Sequence, residues 1–371
     1  MKKTIIFFAV TLVIFISAAG SARAQEAAEQ TFKAEVIQIL DNKEVSLTDE
    51  KGERITLTRQ NLKLRGLDGV FAGQEFTVNL LDDLNILNKA VYRVGDRVLA
   101  ASSADELGNN KFFITDFVRT GILFWLFIAF VISVLLVGRL KGLRSLISLA
   151  LTFLIIIKFI IPRILNGADP VLITVIGSIL ILIVIIYLTE GINVKSNIAA
   201  STIFISLLFT VFLSWLLIHA AKLTGLSSEE AGFIIDLGAK TINLQGILLA
   251  GVIIGTLGAL DDVIIAQVAM VEQLHYANPG QPRGVILKKA FNVGVSHISA
   301  MANTLFLAYA GAGLPLLILF VSGQSSFSGW DVALNNEMLA TEIIRALTGT
   351  IGIVLSIPLA TMISVWWFKR K

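Results

Sequence analysis

GILFWLFIAFVISVLLVG, Gly121 to Gly138, carries no charge from end to end. An apolar run of roughly 20 residues is what a helix needs to cross about 30 Å of hydrocarbon. The stretch therefore reads as a transmembrane span, and it decides the class of the protein. The same texture returns at Ser145–Ile161, Pro170–Leu188, Ile198–Ala221, Leu244 to about Ile265, about Val295–Val321 and about Ile343–Phe368. Together these predict a membrane all-α bundle of about seven transmembrane helices over residues 120–371. Composition agrees, with 55% hydrophobic and 15% charged residues, against roughly 25% charged in soluble domains.

Upstream the texture changes twice. MKKTIIFFAVTLVIFISAAGSARAQ has a basic start at Lys2 and Lys3, an apolar stretch from Thr4 to Ala19 and an Ala22-Arg23-Ala24 cleavage pattern. That is the layout of a signal peptide over residues 1–24. Residues 25–119 are charged and alternating. FKAEVIQIL, VSLT and ERITLT read at period two around a Lys51-Gly52 turn, and QEFTVNLL, AVYRVGDRVLAA and NKFFITDFV continue the pattern. Short strands with regular turns predict a small extracytoplasmic all-β domain, barrel- or sandwich-like. Asp82 and Asp83 read as part of its solvated face.

Lys and Arg mark the cytoplasmic side of membrane proteins. With residues 25–119 outside, the inner loops hold Arg139, Lys141, Arg144, Lys195, Arg283, Lys288 and Lys289, and the tail holds Lys369, Arg370 and Lys371. The outer loops hold Glu229, Glu230, Asp236, Asp331 and Glu337. The expected location is a bacterial cytoplasmic membrane, crossed several times, with the C-terminus inside. A net charge of +3, read by position, gives no reason to expect nucleic acid. Without cysteine there is no thiolate chemistry or disulfide framework. No HExxH, Walker or dinucleotide-binding pattern occurs, so neither a metal nor a cofactor is expected.

GTLGALDDVIIAQVAMVEQL, Gly255 to Leu274, places two carboxylates at the end of an apolar run. Ionisable groups at membrane depth cost at least about 2.5 kcal/mol and mark either an exit to water or a polar site. At 100° per residue Gly251, Gly255, Gly258 and Asp262 fall within roughly 60° of one another. Small residues permit close helix approach in lipid, so Asp262 is expected on the packing face. Asn292, Ser296, Ser299 and Asn303 form one polar stripe on the following helix, with His297 on an adjacent face. A short linker makes the two helices antiparallel neighbours. They would then enclose a polar cavity holding Asp262, Asp261, Asn303, Ser299, Ser296, Asn292 and His297 as candidate substrate- or ion-binding residues. Alternatively, Asp261 and Asp262 mark only where the helix leaves the membrane, with Gln267 and Glu272 on an interfacial extension, and the Asn/Ser stripe is ordinary interhelical hydrogen bonding. Arg345, Gly349, Gly352 and Ser356 share a face of the last span that reads as a packing seam.

The stretches YRVGDRVL, FFITDFVRTG, GALDDVIIAQVAMVEQL and HISAMANTLFLAYAGAGLPLL resemble the YibE/F family of bacterial multi-pass membrane proteins. The resemblance runs from about Val91 to the C-terminus. It implies architecture and carries no catalytic or binding residue with it. Three classes of function stay open. A transporter or permease for a small solute or ion is the leading expectation. A non-transporting scaffold or sensor, whose β-domain binds an extracytoplasmic protein partner or whose bundle self-associates in the bilayer, is the second. An intramembrane enzyme is disfavoured and no catalytic residue is expected, because consecutive aspartates are turned about 100° apart and cannot form a facing dyad.

Overall fold

The computed structural model describes residues 30–48, 54–80, 90–104, 110–227, 229–236, 242–322 and 329–368. The signal-peptide reading, the Lys51-Gly52 turn, Asp82-Asp83 and the basic tail lie outside the described residues. One compact unit ends at Ser133 and the other begins at Val134, so the boundary between them falls inside the first apolar helix.

The first unit is a five-stranded antiparallel sheet. Its strands are β1 Gln30–Thr48, β2 Arg54–Gly66, β3 Glu75–Asn79, β4 Arg97–Ala104 and β5 Asn110–Phe117, in the order β3-β2-β1-β4-β5. Period-two alternation delivers Phe32, Ala34 and Val36 of β1, Leu62 and Leu64 of β2, and Phe76 and Val78 of β3 to one core. Register shifts in β1 between Val36 and Gln38 and between Ile39 and Asp41 bend the sheet. It curls far enough that Phe76 of β3 stacks on Phe112 of β5 at 4.3 Å between ring centroids, which makes a half-barrel. Two sequence readings change here. β1 runs unbroken through Asp41–Glu44 by using those bulges, and Ala90–Val94 is not a strand. Instead Tyr92 is tied down by the buried Gln60 side chain, which accepts from the Tyr92 backbone N–H at 2.7 Å and donates to its carbonyl at 3.1 Å.

The second unit is helical. α1 (Thr120–Ile155) continues through a π-helical turn (Ile156–Ile160) into α2 (Ile161–Leu165), followed by α3 (Pro170–Thr189), α4 (Val194–Ala220) and the short α5 (Glu229–Asp236). Then come α6 (Leu244–Ala277), α7 (Arg283–Ala312), α8 (Leu314–Val321), α9 (Trp330–Asn335) and α10 (Glu337–Phe368). Among the described residues six helices are long and apolar enough to cross a membrane, not about seven. The difference lies at the start, where Thr120–Leu165 forms one helical stretch of 46 residues. Such a length is about 69 Å at the helical rise, more than twice the hydrocarbon thickness. Its backbone breaks at Arg139, with φ 48° and ψ −127°. The first two expected spans thus occupy the two sides of that break.

Side-chain caps fix the starts of α3, α4 and α6: Asp169 Oδ1 accepts from Leu172 N, Asn193 Oδ1 from Ser196 N and Asn243 Oδ1 from Gly246 N. α6 occupies the centre, packed by α3, α4, α7 and α10. Ile181, Ile186, Ile203, Leu207, Ile253, Leu260, Ile264 and Ile357 form the core these helices share. The expected seam on α10 forms: Gly349, Gly352 and Ser356 are buried. A Cβ built on Gly352 would overlap Thr210 Oγ1 of α4, so the approach of α4 to α10 depends on that missing side chain.

Candidate functional site

The two aspartates of α6 part company. Asp261 is buried, 9% exposed, and its Oδ1 finds no hydrogen-bond partner among the described residues. Asp262, a turn of about 100° further round, is exposed together with Gly251, Gly255 and Gly258. A Cβ on Gly251 or Gly258 would meet nothing within 4 Å, and one on Gly255 would meet only the Tyr309 hydroxyl at 3.4 Å. The small-residue stripe is therefore the outer side of α6, and the expected inward direction of Asp262 is corrected. Small residues allow close contact in lipid without requiring it. In this fold the larger, branched side of the helix, Val252, Ile253, Leu260, Val263 and Ile264, takes the packing role.

α7 is corrected in the same sense. It is the antiparallel neighbour of α6, joined by Gln267 to Ala290 and by Tyr309 over Gly255. However, it buries Ile286, Ala290 and Gly294. Asn292, Ser296, Ser299 and Asn303 lie on the opposite side and are exposed, while His297 is half-buried. The stripe and Asp262 both face away from the packed interior.

Inside the bundle lie polar groups that the sequence reading does not place there, and Gln267, expected on an interfacial extension, is corrected to the packed interior. Gln267 is 1% exposed, and its Nε2 donates to the Ala290 carbonyl at 3.0 Å and to Thr361 Oγ1 at 2.8 Å. The available signal was its helical-turn spacing from Val263 and Val271, both buried. Buried hydroxyls without a partner among the described residues come from five helices: Ser148 and Thr152 of α1, Thr174 and Ser178 of α3, Ser206 and Ser214 of α4, Thr256 of α6, and Thr341 and Ser364 of α10. Others, Thr202, Thr210 and Thr361, return their hydroxyls to carbonyls of their own helix, a common resolution inside apolar helices.

Both ends of this interior are polar. At one end the charges that reach Asp261 are those of Asp262 and Glu190. Glu190 follows α3 and pairs with Lys195 at the start of α4. Burial pushes the Glu190 carboxyl up, but hydrogen bonding and attraction from Lys195, with Lys141 adding to it, prevail and hold it below its usual range. At the other end a cavity of about 260 Å³ is lined by Asp169, Trp215, His219, Asn243 and Gln245, among others. A larger groove of about 680 Å³ between α4, α7 and α10, lined by Leu359, Met362 and Trp366, is almost wholly apolar. Among the described residues no group of three or more His, Cys, Asp or Glu side chains is arranged to hold a metal.

No curated protein and no solved structure matches this chain. A family model described as YibE/F-like protein matches residues 126–370. That span takes in all but the first turns of the helical part, and the chain belongs to the YibE/F-like family of multi-pass membrane proteins.

Proposed function

We propose that the protein is a permease for a small cation or polar solute, with Asp261 as the ion-holding group of a path between α3, α4 and α6. The observation that carries this reading is the unpartnered Oδ1 of Asp261, buried in the same interior as the orphaned hydroxyls of Thr174, Ser178, Ser206 and Ser214. Buried polar atoms are nearly always satisfied, and a carboxyl group inside a bundle is a default candidate for an ion or proton pathway. The Asp169–His219 cavity and the Glu190–Lys195 pair are the two mouths of that path. Asp262 and the Asn/Ser stripe of α7 take no part in it, and the role is non-catalytic.

The orientation belongs to the same proposal. Counting the break at Arg139 as a turn between two crossings gives seven in all, an odd number. The β-unit then lies outside a bacterial cytoplasmic membrane and the C-terminus inside, as the distribution of Lys and Arg favours.

The test is purified protein in liposomes with imposed proton, sodium and potassium gradients, each followed by an entrapped dye. Wild type should dissipate at least one gradient, Asp261→Asn should be slower by an order of magnitude or more, and Asp262→Asn should match wild type. Equal rates in Asp261→Asn would remove the assignment. A second reading, a scaffold or sensor acting through its external domain, rests on the half-barrel having a hydrophobic core of its own. Deleting Thr31 to Phe117 separates the two, since a scaffold loses its partner and a permease keeps its flux.

A further inference from the structure

The outward faces of the bundle are not alike. α4 presents Ile205, Leu208, Phe209 and Phe212, and α10 presents Leu347, Ile351, Leu355 and Met362, the side chains expected against acyl chains. α7 presents Asn292, Ser296, Ser299 and Asn303 instead. Two carboxamides and two hydroxyls aimed at lipid find no donors or acceptors there. Continuing along the exposed residues, the series reads Asn292, Ser296, Ser299, Asn303, Phe306 and Ala310. The steps alternate four and three, the spacing of a helix that winds against another helix in a left-handed pair. Val293, Val295 and Leu307, all exposed, border it as an apolar rim.

We propose that this face of α7 is a self-association surface and that its occupant is the same face of α7 in a second copy of the chain. Copies inserted in one membrane share one orientation, so a two-fold axis must stand along the membrane normal. The two α7 helices then run parallel, and each seam residue meets its own equivalent. Asparagine suits that arrangement because its carboxamide both donates and accepts, so Asn292 and Asn303 pair with themselves across the axis. Asparagine at a seam position also fixes register, while serine and alanine let the backbones approach closely. The first apolar helix is a poor alternative occupant. Its Gly121–Gly138 stretch offers a single side-chain hydroxyl, Ser133, which is already given to the Ala129 carbonyl.

The absence of native cysteine makes the test clean. Ser296→Cys and Ser299→Cys each exchange one atom and should leave the fold intact. Under mild oxidation in intact membranes both should give a disulfide-linked species of twice the monomer mass. Phe212→Cys on the apolar face of α4 should stay monomeric under the same treatment. Replacing Asn292 and Asn303 together by Leu should lower the dimer fraction several-fold in single-molecule photobleaching of liposomes. Monomer alone from both serine variants, crosslinking no better than Phe212→Cys, or an adduct of some other mass would each overturn the proposal. None of these readouts depends on transport, so a failure here is distinct from a failure of the permease reading.

Discussion

Gln267 Nε2 lies 2.8 Å from Thr361 Oγ1, and the same nitrogen donates to the Ala290 carbonyl. One amide on α6 thereby joins α7 and α10 to the central helix. The site is tightly filled, because a Cβ on Gly294 would stand 3.1 Å from that nitrogen. Hydrogen bonds between membrane helices average about 0.6 kcal/mol each. Gln267→Leu, which keeps the volume and removes both bonds, should therefore cost roughly 1–2 kcal/mol. Gln267→Ala should cost more, because it leaves a cavity as well. Thermal unfolding in detergent measures both, and a Gln267→Leu protein as stable as wild type would mean that the amide has no tethering role.

Thr210 and Gly352 define how closely α4 approaches α10. A Cβ built on Gly352 would overlap Thr210 Oγ1 and stand 3.3 Å from the threonine Cβ and methyl, so Gly352→Ala must push the helices apart or turn the threonine. Overpacking of this kind costs roughly 1–3 kcal/mol. Thr210→Ala removes the nearer atoms, so the double variant should recover part of the loss. A double-mutant cycle in detergent unfolding checks the sign of the coupling, and simple additivity would mean that the two residues do not meet.

The legible parts of this fold are those where one physical signal dominates. Alternation in FKAEVIQIL placed Phe32, Ala34 and Val36 on one face because one side of that sheet is buried and the other is wet. Apolar length found the helices, and the helical spacing of Gly349, Gly352 and Ser356 found a true packing face on the last of them. What length and hydropathy do not carry is direction. α6 is apolar on both sides, so nothing in the hydropathy of Gly251, Gly255 and Gly258 says whether they meet protein or lipid, and Asp262 went with them. Asp261 shares its neighbour's composition and differs only in azimuth, which packing decides. Arg139 is likewise a backbone event in a stretch where basic residues signal only a cytoplasmic turn.

The separation of Asp261 from Asp262 is open to direct chemical test, since no other cysteine competes. With the first side chain buried and the second exposed, Asp262→Cys should react with a maleimide at least an order of magnitude faster than Asp261→Cys in detergent micelles. Unfolding in dodecyl sulfate should equalise the two rates, which guards against an intrinsic difference between the thiols. Faster labelling at 261 would reverse the assignment of faces.

Glu190 gives the pH dependence with a definite sign. Its carboxyl is held below the ordinary value of 4.5, with burial opposing and Lys195 and Lys141 prevailing. A lowered folded-state pKa contributes stability that is complete above the unfolded value and is lost as pH falls through the folded one. The loss attributable to this pair should begin below pH 4.5 and not at neutral pH. Lys195→Met removes the leading attraction and leaves burial to act on the carboxyl, so the variant should be less stable than wild type near neutrality. The gap between the two should close as the medium is acidified, because protonated Glu190 has no ion pair to lose. Detergent melting curves of wild type and variant across that range, compared as differences so that other carboxylates cancel, decide it. A gap that stays constant with pH would show that Lys195 acts through packing of its stem and not through its charge.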